Sequence, residues 1–206
     1  MQYFRCTPMA LQLGRLFLGA LLILAGCAPP PPSSVSPEYA RHKPTSIAVL
    51  PVHNQTGQPL VAPASHAYLK ILLERAFAAR DETANDVSLA WRRKISHTLQ
   101  GKSYRVIPID AMAGRTTTEQ TATAGQLAGA DSVLYSTITA WDTRQLKTDN
   151  TIFVAASFAL LDVETKKVLW EAQWPYGRVS VKATQPWHDI RYYIARVVEA
   201  TFATLP

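Results

Sequence analysis

The stretch SVLYSTITAWDTRQLKTDNTIFVAASFALLDVETKKVLWEAQWPYG, residues 132–177, decides the fold. Two long runs, 132–145 and 151–165, are rich in the β-branched and aromatic residues that strands prefer, and the polar segment LKTDN separates them. A third run, 167–177, follows a turn at 164–167. Because short connections join antiparallel strands, the sequence predicts a three-stranded meander.

Successive side chains of the third run point to opposite faces of a strand. Their strict alternation predicts that one face is buried and the other is exposed to solvent. This alternation places Trp170, Trp174 and Tyr176 on the same face, so we expect them to be buried or exposed together. Trp141 lies on the first strand of the meander. These four aromatic residues either fill the core, which is the favoured interpretation, or form an exposed patch that binds a partner.

The chain before and after the meander predicts helices between further strands. The expected elements are a strand at 46–52, helices at 65–80 and 86–100, a strand at 103–109, a helix that starts at the capping-box pair Thr116 and Glu119, and a closing helix from Pro186 onward. Helical crossovers between the early strands imply parallel pairing. The predicted fold class is therefore α/β, more closely mixed α+β, with a mixed sheet of about five strands flanked by helices.

The N-terminus reads as an export signal. Arg5 and Arg15 precede the ten apolar residues LFLGALLILA, 16–25. Crossing a bilayer takes about 18–20 apolar residues, whereas an apolar run of this length behind basic residues is typical of a signal peptide. Residues 1–26 are therefore predicted to be a signal peptide that is removed.

The segment Leu24-Ala25-Gly26-Cys27 resembles a bacterial lipobox. The resemblance implies that Cys27 becomes the new N-terminus, with a diacylglyceryl group on sulfur and an acyl chain on nitrogen; more than one chain gives stable anchoring. Ala28 stands where an aspartate usually retains such proteins in the inner membrane, so the resemblance implies the periplasmic face of the outer membrane. The alternative is an ordinary secretory signal with a chance cysteine.

The tether and the domain follow from composition. Residues 27–45 hold the lipidated cysteine and a proline-rich segment, which predicts an extended spacer that reaches up to about 50 Å. Residues 46–206 are predicted to form a single periplasmic domain, because about 160 residues suffice for one core. Cys6 leaves with the signal, so the mature chain has no free thiol once Cys27 is acylated.

Charge and motifs exclude several function classes. Removing Arg5 and Arg15 from 21 basic residues leaves 19 against 15 acidic ones, which is only mildly basic. The densest basic cluster, 91–94, is interpreted as a solvated helix face, so no nucleic-acid partner is expected. No metal-ligand spacing occurs among the five histidines, and there is no GxSxG or phosphate-binding glycine loop. We therefore predict no enzyme, no cofactor and no metal.

Four runs in order carry a second resemblance. They are IAVLPVHNQTGQP, RVIPID, GADSVLYSTITAWD and LLDVETKKVLWEAQW. Their order and spacing are similar to envelope lipoproteins with a domain like the TolB N-terminal domain, a group that includes CsgG, LpoB and PelC. The segment after the first strand looks most like that of PelC, which implies exopolysaccharide secretion and ring formation. Uncharacterised lipoproteins with GADAVLY-type segments are about equally similar, and no equivalent of the pore-forming hairpins of CsgG is present.

Two classes of function remain after these exclusions. The first is a membrane-anchored, non-enzymatic assembly, scaffold or accessory component of a cell-envelope machine for secretion or polysaccharide export, with envelope protein partners and possible self-assembly. A regulator of a peptidoglycan synthase is an alternative within it. The second class is a periplasmic glycan or peptidoglycan hydrolase. A carboxylate pair about 5–9.5 Å apart in a cleft would favour the hydrolase, and an apolar or aromatic patch at a sheet edge would favour the module.

Overall fold

A computed structural model describes residues 30–60, 87–109, 117–181 and 189–206. Several predictions lie outside these residues: the expected signal peptide, Cys27, the helix at 65–80, and Thr116 of the expected capping box. From Pro31 onward the chain forms one compact unit.

One mixed sheet of seven strands organises the domain. The strands are β1 (Ser33–Val35), β2 (Ser46–Val49), β3 (His53–Asn54), β4 (Arg105–Pro108), β5 (Ser132–Asp142), β6 (Thr151–Asp162) and β7 (Val168–Ser180). Their order across the sheet is β1-β7-β6-β5-β2-β4, and β3 pairs with β5 beyond the end of β2. The β1–β7–β6–β5 pairings are antiparallel, and β2, β3 and β4 pair in parallel. The predicted fold class is confirmed, with two more strands than expected.

Five helices of the described residues flank this sheet. They are α1 (Pro37–Arg41), α2 (Val87–Gly101), α3 (Thr118–Leu127), α4 (Leu146–Asp149) and α5 (Ile190–Phe202). Ile47 and Val49 of β2 belong to the same core as α2 and α5, whereas Ala48 and Leu50 belong to the core under α3. Because successive strand residues point to opposite faces, α2 and α5 cover one face of the sheet and α3 covers part of the other. No helix among these described segments is both long and apolar enough to cross a membrane.

The main core lies between the sheet and the helix pair α2–α5. The helix expected at 86–100 is confirmed as α2, and its apolar stripe of Val87, Trp91, Ile95 and Leu99 is fully buried. The stripe on α5 is confirmed in the same way at Ile190, Ile194, Val197 and Thr201. Trp91 stacks on Phe158 of β6 with ring centroids 6.1 Å apart. Aromatic packing of this kind fixes both helices on the sheet.

A smaller core lies under α3, where Gly125 lets the helix approach the sheet closely. A Cβ at this position would lie 2.2 Å from Val133 Cγ2 and 2.6 Å from Val163 Cγ2. The helix starts with a capping box formed by Thr117 and Gln120. The sequence predicted the box at Thr116 and Glu119, so the prediction is wrong by one residue. Two adjacent threonines make the spacing ambiguous, because either one can cap a helix.

The strand expected at 46–52 ends three residues early, and a second short strand follows it. β2 ends at Val49 and β3 begins at His53, with Pro51 between them. Proline has no N–H to give to a ladder, which explains the break inside a sheet. Leu50 N still donates to Leu134 O at 3.1 Å, so the chain keeps to the same side of β5.

The proline-rich segment is not a spacer along its whole length. Ser33–Val35 adds a strand to β7, and Ser36 caps α1 by accepting from Glu38 N. Tyr39 of α1 is buried in the main core. The extended spacer expected up to residue 45 is therefore corrected to end before Ser33. The sequence pattern concealed this because short polar strands and single-turn helices lack periodicity.

Candidate interaction surface

Trp170 is a core residue. Its side chain is fully buried, its ring centroid lies 5.3 Å from that of Phe202, and its Nε1 donates to Thr204 Oγ1 at 3.3 Å. It pairs with Leu160 in the middle of the sheet and faces α5. A residue in this position supports the fold and presents no surface to a partner.

Trp141 and Trp174 lie half-buried against the same core. The Trp141 ring meets Trp91 edge-on with centroids 6.1 Å apart. Their Nε1 atoms are buried and have no hydrogen-bond partner within the described part of the chain. The structure therefore places both rings mainly against the α2–α5 side of the sheet.

Tyr176 has a different position from the other three aromatic residues. It is 63% exposed and stacks on Phe153, with ring centroids 5.8 Å apart and an interplanar angle of 21°. Phe153 lies between Ile152 and Val154, which both point into the main core, so the stacked pair is on the opposite face. The expectation that Trp170, Trp174 and Tyr176 share one face is wrong.

A β-bulge explains the change of face. Trp174 pairs with Ala156 and Gly177 pairs with Val154, so Pro175 and Tyr176 together oppose the single residue Ala155. An extra residue in one strand reverses the alternation beyond it. Pro175 signals an irregularity in the sequence, but the position of the bulge depends on the partner strand.

Charged groups surround the stacked pair. Arg144 donates from Nε to both carboxylate oxygens of Asp142 at 3.0 Å and from NH2 to Oδ2 at 2.5 Å. This pairing lowers the pKa of Asp142 and raises the pKa of Arg144, and Tyr176 adds a smaller electrostatic contribution to the latter. Arg178 reaches across to Thr151 Oγ1. We call Asp142, Arg144, Phe153, Tyr176 and Arg178 the aromatic end patch.

The aromatic end patch adjoins an open edge of the sheet. β1 covers β7 only at residues 170–172, and Gln173 N donates to Pro32 O at 2.9 Å. Beyond Gln173, no described strand pairs with this side of β7. An open edge next to an exposed aromatic ring is a surface at which another molecule can bind.

A cleft lies between α2 and β4. Its volume is about 310 Å³, and the described residues that line it are Leu89, Arg92, Arg93, Ser96, His97, Gln100 and Pro108. Among the described residues of its lining, none carries a carboxylate. Within those same segments, no group of three metal-ligating side chains comes together.

The basic cluster 91–94 is only partly a solvated helix face. Trp91 is fully buried, Arg92 donates to Ile109 O at 3.1 Å, and Lys94 pairs with Glu199 of α5. Arg93 is exposed and lines the cleft. The cluster thus joins α2 to β4 and to α5.

The GAD segment has a structural role that sequence reasoning missed. Gly129 ends α3 at φ 67°, a conformation that favours glycine. Asp131 Oδ2 then accepts from Thr45 N at 2.9 Å, Thr45 Oγ1 at 2.6 Å and Ser46 N at 3.0 Å. These hydrogen bonds, with that of the Thr45 hydroxyl foremost, lower the pKa of Asp131. The aspartate fixes β2 beside β5, and its place directly before a strand was the available signal.

The N-terminal segment is fixed by a buried tyrosine pair. Tyr39 Oη and Tyr104 Oη lie 2.5 Å apart, and Pro206 O lies 3.1 and 3.0 Å from them, so that one hydroxyl donates to the other and the second donates to Pro206 O. Burial, and next the hydrogen bond with Tyr104, raise the pKa of Tyr39. Three distant parts of the chain therefore meet at one polar contact inside the core, which holds α1 in place.

Comparison with known structures places the fold. A subunit of a PelC dodecamer from Paraburkholderia phytofirmans matches with a TM-score of 0.52 and 16% identity over 84% of this chain and 95% of that chain. The fold is similar to that of PelC. PelC belongs to the group that the sequence resembles, so the predicted resemblance is confirmed at the level of fold.

Two further neighbours are lipoproteins of other bacteria. Lipoprotein GNA1162 from Neisseria meningitidis shows 20% identity over 78% of this chain and 99% of its own, with a TM-score of 0.40. The LpoB C-terminal domain from Salmonella enterica shows 15% identity over 81% of this chain and 95% of its own, with a TM-score of 0.30. No protein-family model matches the chain, and no curated protein matches it in sequence.

Proposed function

We propose that this protein is a lipid-anchored accessory component of a cell-envelope machine, which acts by assembly with itself and with envelope proteins and catalyses no reaction. The observation that carries the proposal is the PelC-like fold, and the resemblance of residues 1–27 to a signal sequence with a lipobox supports it. Export of a polysaccharide is the pathway that the likeness to PelC favours.

The proposed anchor is Cys27, acylated on sulfur and nitrogen after residues 1–26 are removed. Two or more acyl chains hold a protein on a bilayer stably, whereas one chain does not. Ala28 favours transfer to the periplasmic face of the outer membrane. In this proposal the lipid sets the location, and the folded unit from Pro31 onward supplies the contacts.

Self-assembly is part of the proposal. The PelC structure is a dodecamer, and the present chain shares its fold over most of its length. The open edge of β7 and the outer edge of β4 are the two sheet edges through which copies could meet. Pro108 on β4 weakens strand addition at that edge because it has no N–H. We therefore expect copies to contact each other through side chains rather than through a continuous sheet at β4.

Crosslinking in intact cells tests the proposal. The native chain is compared with a matched control that carries an ordinary cleavable export signal in place of residues 1–27. We expect crosslinked multimers and crosslinks to envelope proteins for the native chain, and a strong reduction for the control. Purified native protein that stays monomeric, forms no crosslinks and degrades glycan or peptidoglycan would contradict the proposal and favour a hydrolase.

A further inference from the structure

The described chain joins the sheet only a few residues after Cys27, the proposed anchor. A free spacer up to residue 45 would let the domain stand about 50 Å from the membrane. Instead β1 starts at Ser33 and Pro32 O accepts from Gln173 N. The five residue steps between Cys27 and Pro32 span at most about 17 Å. Acylation of Cys27 would therefore bring the start of β1, at the edge of the sheet, within about 17 Å of the lipid.

The direction of the chain selects one end of that edge. β1 runs antiparallel to β7, with Ser33 opposite Ala172 and Val35 opposite Trp170. Upstream of Ser33 the chain thus leaves towards the C-terminal part of β7. The seven steps from Gln173 to Ser180 span about 23 Å. The reach of the anchor is comparable to this length, so the end of the sheet that carries Tyr176 can lie against the bilayer.

The chemistry of that end matches a lipid headgroup layer. Tyr176 presents an apolar ring with a polar tip, the combination that favours the membrane interface. Arg144 and Arg178 are exposed, and Lys147 on α4 is exposed at the same end. Guanidinium groups bind phosphate oxygens strongly. Asp142 and Asp149 leave the end slightly basic, which suits zwitterionic and weakly anionic headgroups.

The other end of the same edge has a different character. There Lys167 Nζ pairs with Glu38 Oε1 at 3.0 Å, and Ser34 Oγ donates to Glu171 Oε1 at 3.0 Å. Its exposed apolar side chains in the described residues are Val35 and Val168, without an aromatic ring. Both the path of the tether and the surface chemistry thus favour the Tyr176 end.

We propose that the aromatic end patch rests in the phospholipid headgroup layer of the membrane that holds the anchor. The inference depends on the proposed acylation of Cys27. It assigns to Tyr176 and Phe153 the contact with the acyl–headgroup boundary, and to Arg144 and Arg178 the contact with phosphate. The domain then lies on its β7 edge, and the cleft between α2 and β4, at the far edge of the sheet, faces away from the bilayer.

Fluorescent labels on the lipidated protein test this orientation. The mature chain has no cysteine besides Cys27, so Tyr176→Cys accepts a single environment-sensitive label when the anchor is acylated. Lys147→Cys is a second label position at the same end, and Glu164→Cys, in the exposed turn between β6 and β7, is the matched control at the opposite end. The protein is bound to vesicles of phosphatidylethanolamine and phosphatidylglycerol that carry a headgroup quencher.

We expect a shift to shorter emission wavelength and several-fold stronger quenching at positions 176 and 147 than at position 164. If the protein does not sediment with the vesicles, the anchor and this inference both fail. If it sediments while positions 176 and 164 report equal exposure to water, the orientation is wrong and the proposed function stands. Water exposure at 176 on vesicles combined with protection in whole envelopes would overturn the inference and show that the patch binds a protein.

Discussion

Exposure separates the aromatic residue that fills the core from the one that lies on the surface. Trp170 is fully buried, whereas Tyr176 is mostly exposed on the opposite face. Strict alternation along the sequence assigns both residues to the same face of the strand, because it takes no account of the bulge at Pro175. Tyr176 is therefore the cleanest probe of the interaction surface.

Alanine at Trp170 should lower stability strongly, whereas alanine at Tyr176 should leave stability nearly unchanged. Trp170→Ala leaves a large cavity against Phe202 and is expected to lower the free energy of unfolding by about 3–5 kcal/mol. Tyr176→Ala should change it by less than about 0.5 kcal/mol, since the ring is exposed, while weakening binding at the patch. Urea unfolding checks both values. A Tyr176→Ala variant as unstable as Trp170→Ala would contradict the assignment.

Gly125 allows the close contact between α3 and the sheet. Gly125→Ala places a methyl group against Val133 and Val163 and is expected to lower stability by about 1–3 kcal/mol. The matched control is Gly101→Ala at the end of α2, where an added Cβ meets nothing within 4 Å. We expect the control to be neutral or stabilising by about 0.4–1 kcal/mol. Thermal unfolding of the two variants measures the difference.

Asp131 makes stability depend on acid. Because its pKa is lower in the folded protein than the ordinary 3.8, its contribution is present above that value and is lost as the pH falls through the folded pKa. Asp131→Asn should lower stability at pH 7 by about 1 kcal/mol and flatten the loss of stability below pH 4. Asp149→Asn, at an exposed position on α4, serves as the control. Equal pH profiles for the native chain and Asp131→Asn would count against this role.

At the scale of elements, the long regular segments were predictable and the short ones were not. The meander, α2 and α5 have enough length for their periodicity to appear, and their buried stripes agree with the structure. β1 and α1 contain three and five residues. Their place depends on the edge of β7 and on Tyr104, which are distant in sequence, so no local pattern could reveal them.

Hydrogen exchange distinguishes a docked N-terminal segment from a spacer. Ser36 N donates to Leu169 O at 2.8 Å and Tyr39 N donates to Ser36 O at 2.9 Å. We expect these amides to be protected from exchange, and Tyr39→Phe to reduce that protection by removing the hydroxyl that contacts Tyr104 and Pro206 O. Amides of Ser36 and Tyr39 that exchange as fast as an unfolded chain would restore the spacer interpretation.

At the scale of the whole molecule, the fold could be predicted from the sequence more fully than the candidate surface. The predicted order of strands and helices indicated a mixed sheet, and the four sequence runs resemble the group that includes PelC; the structure agrees with both at the level of fold. The candidate surface could be predicted only as a set of aromatic residues. The bulge at Pro175 decides which of them is exposed. The pairing of β1 with β7 decides which edge of the sheet the proposed anchor adjoins. We therefore propose that the position of the lipid anchor at Cys27 determines where the domain acts.

Mass spectrometry of the N-terminal peptide from the membrane fraction tests the central claim most directly. The account predicts a peptide that begins at Cys27 and carries a diacylglyceryl group on sulfur and an acyl chain on nitrogen. It also predicts that the protein stays with membranes in high salt and is released by detergent. An unmodified Cys27 thiol in a mature protein that leaves the membrane fraction in plain buffer would contradict the account.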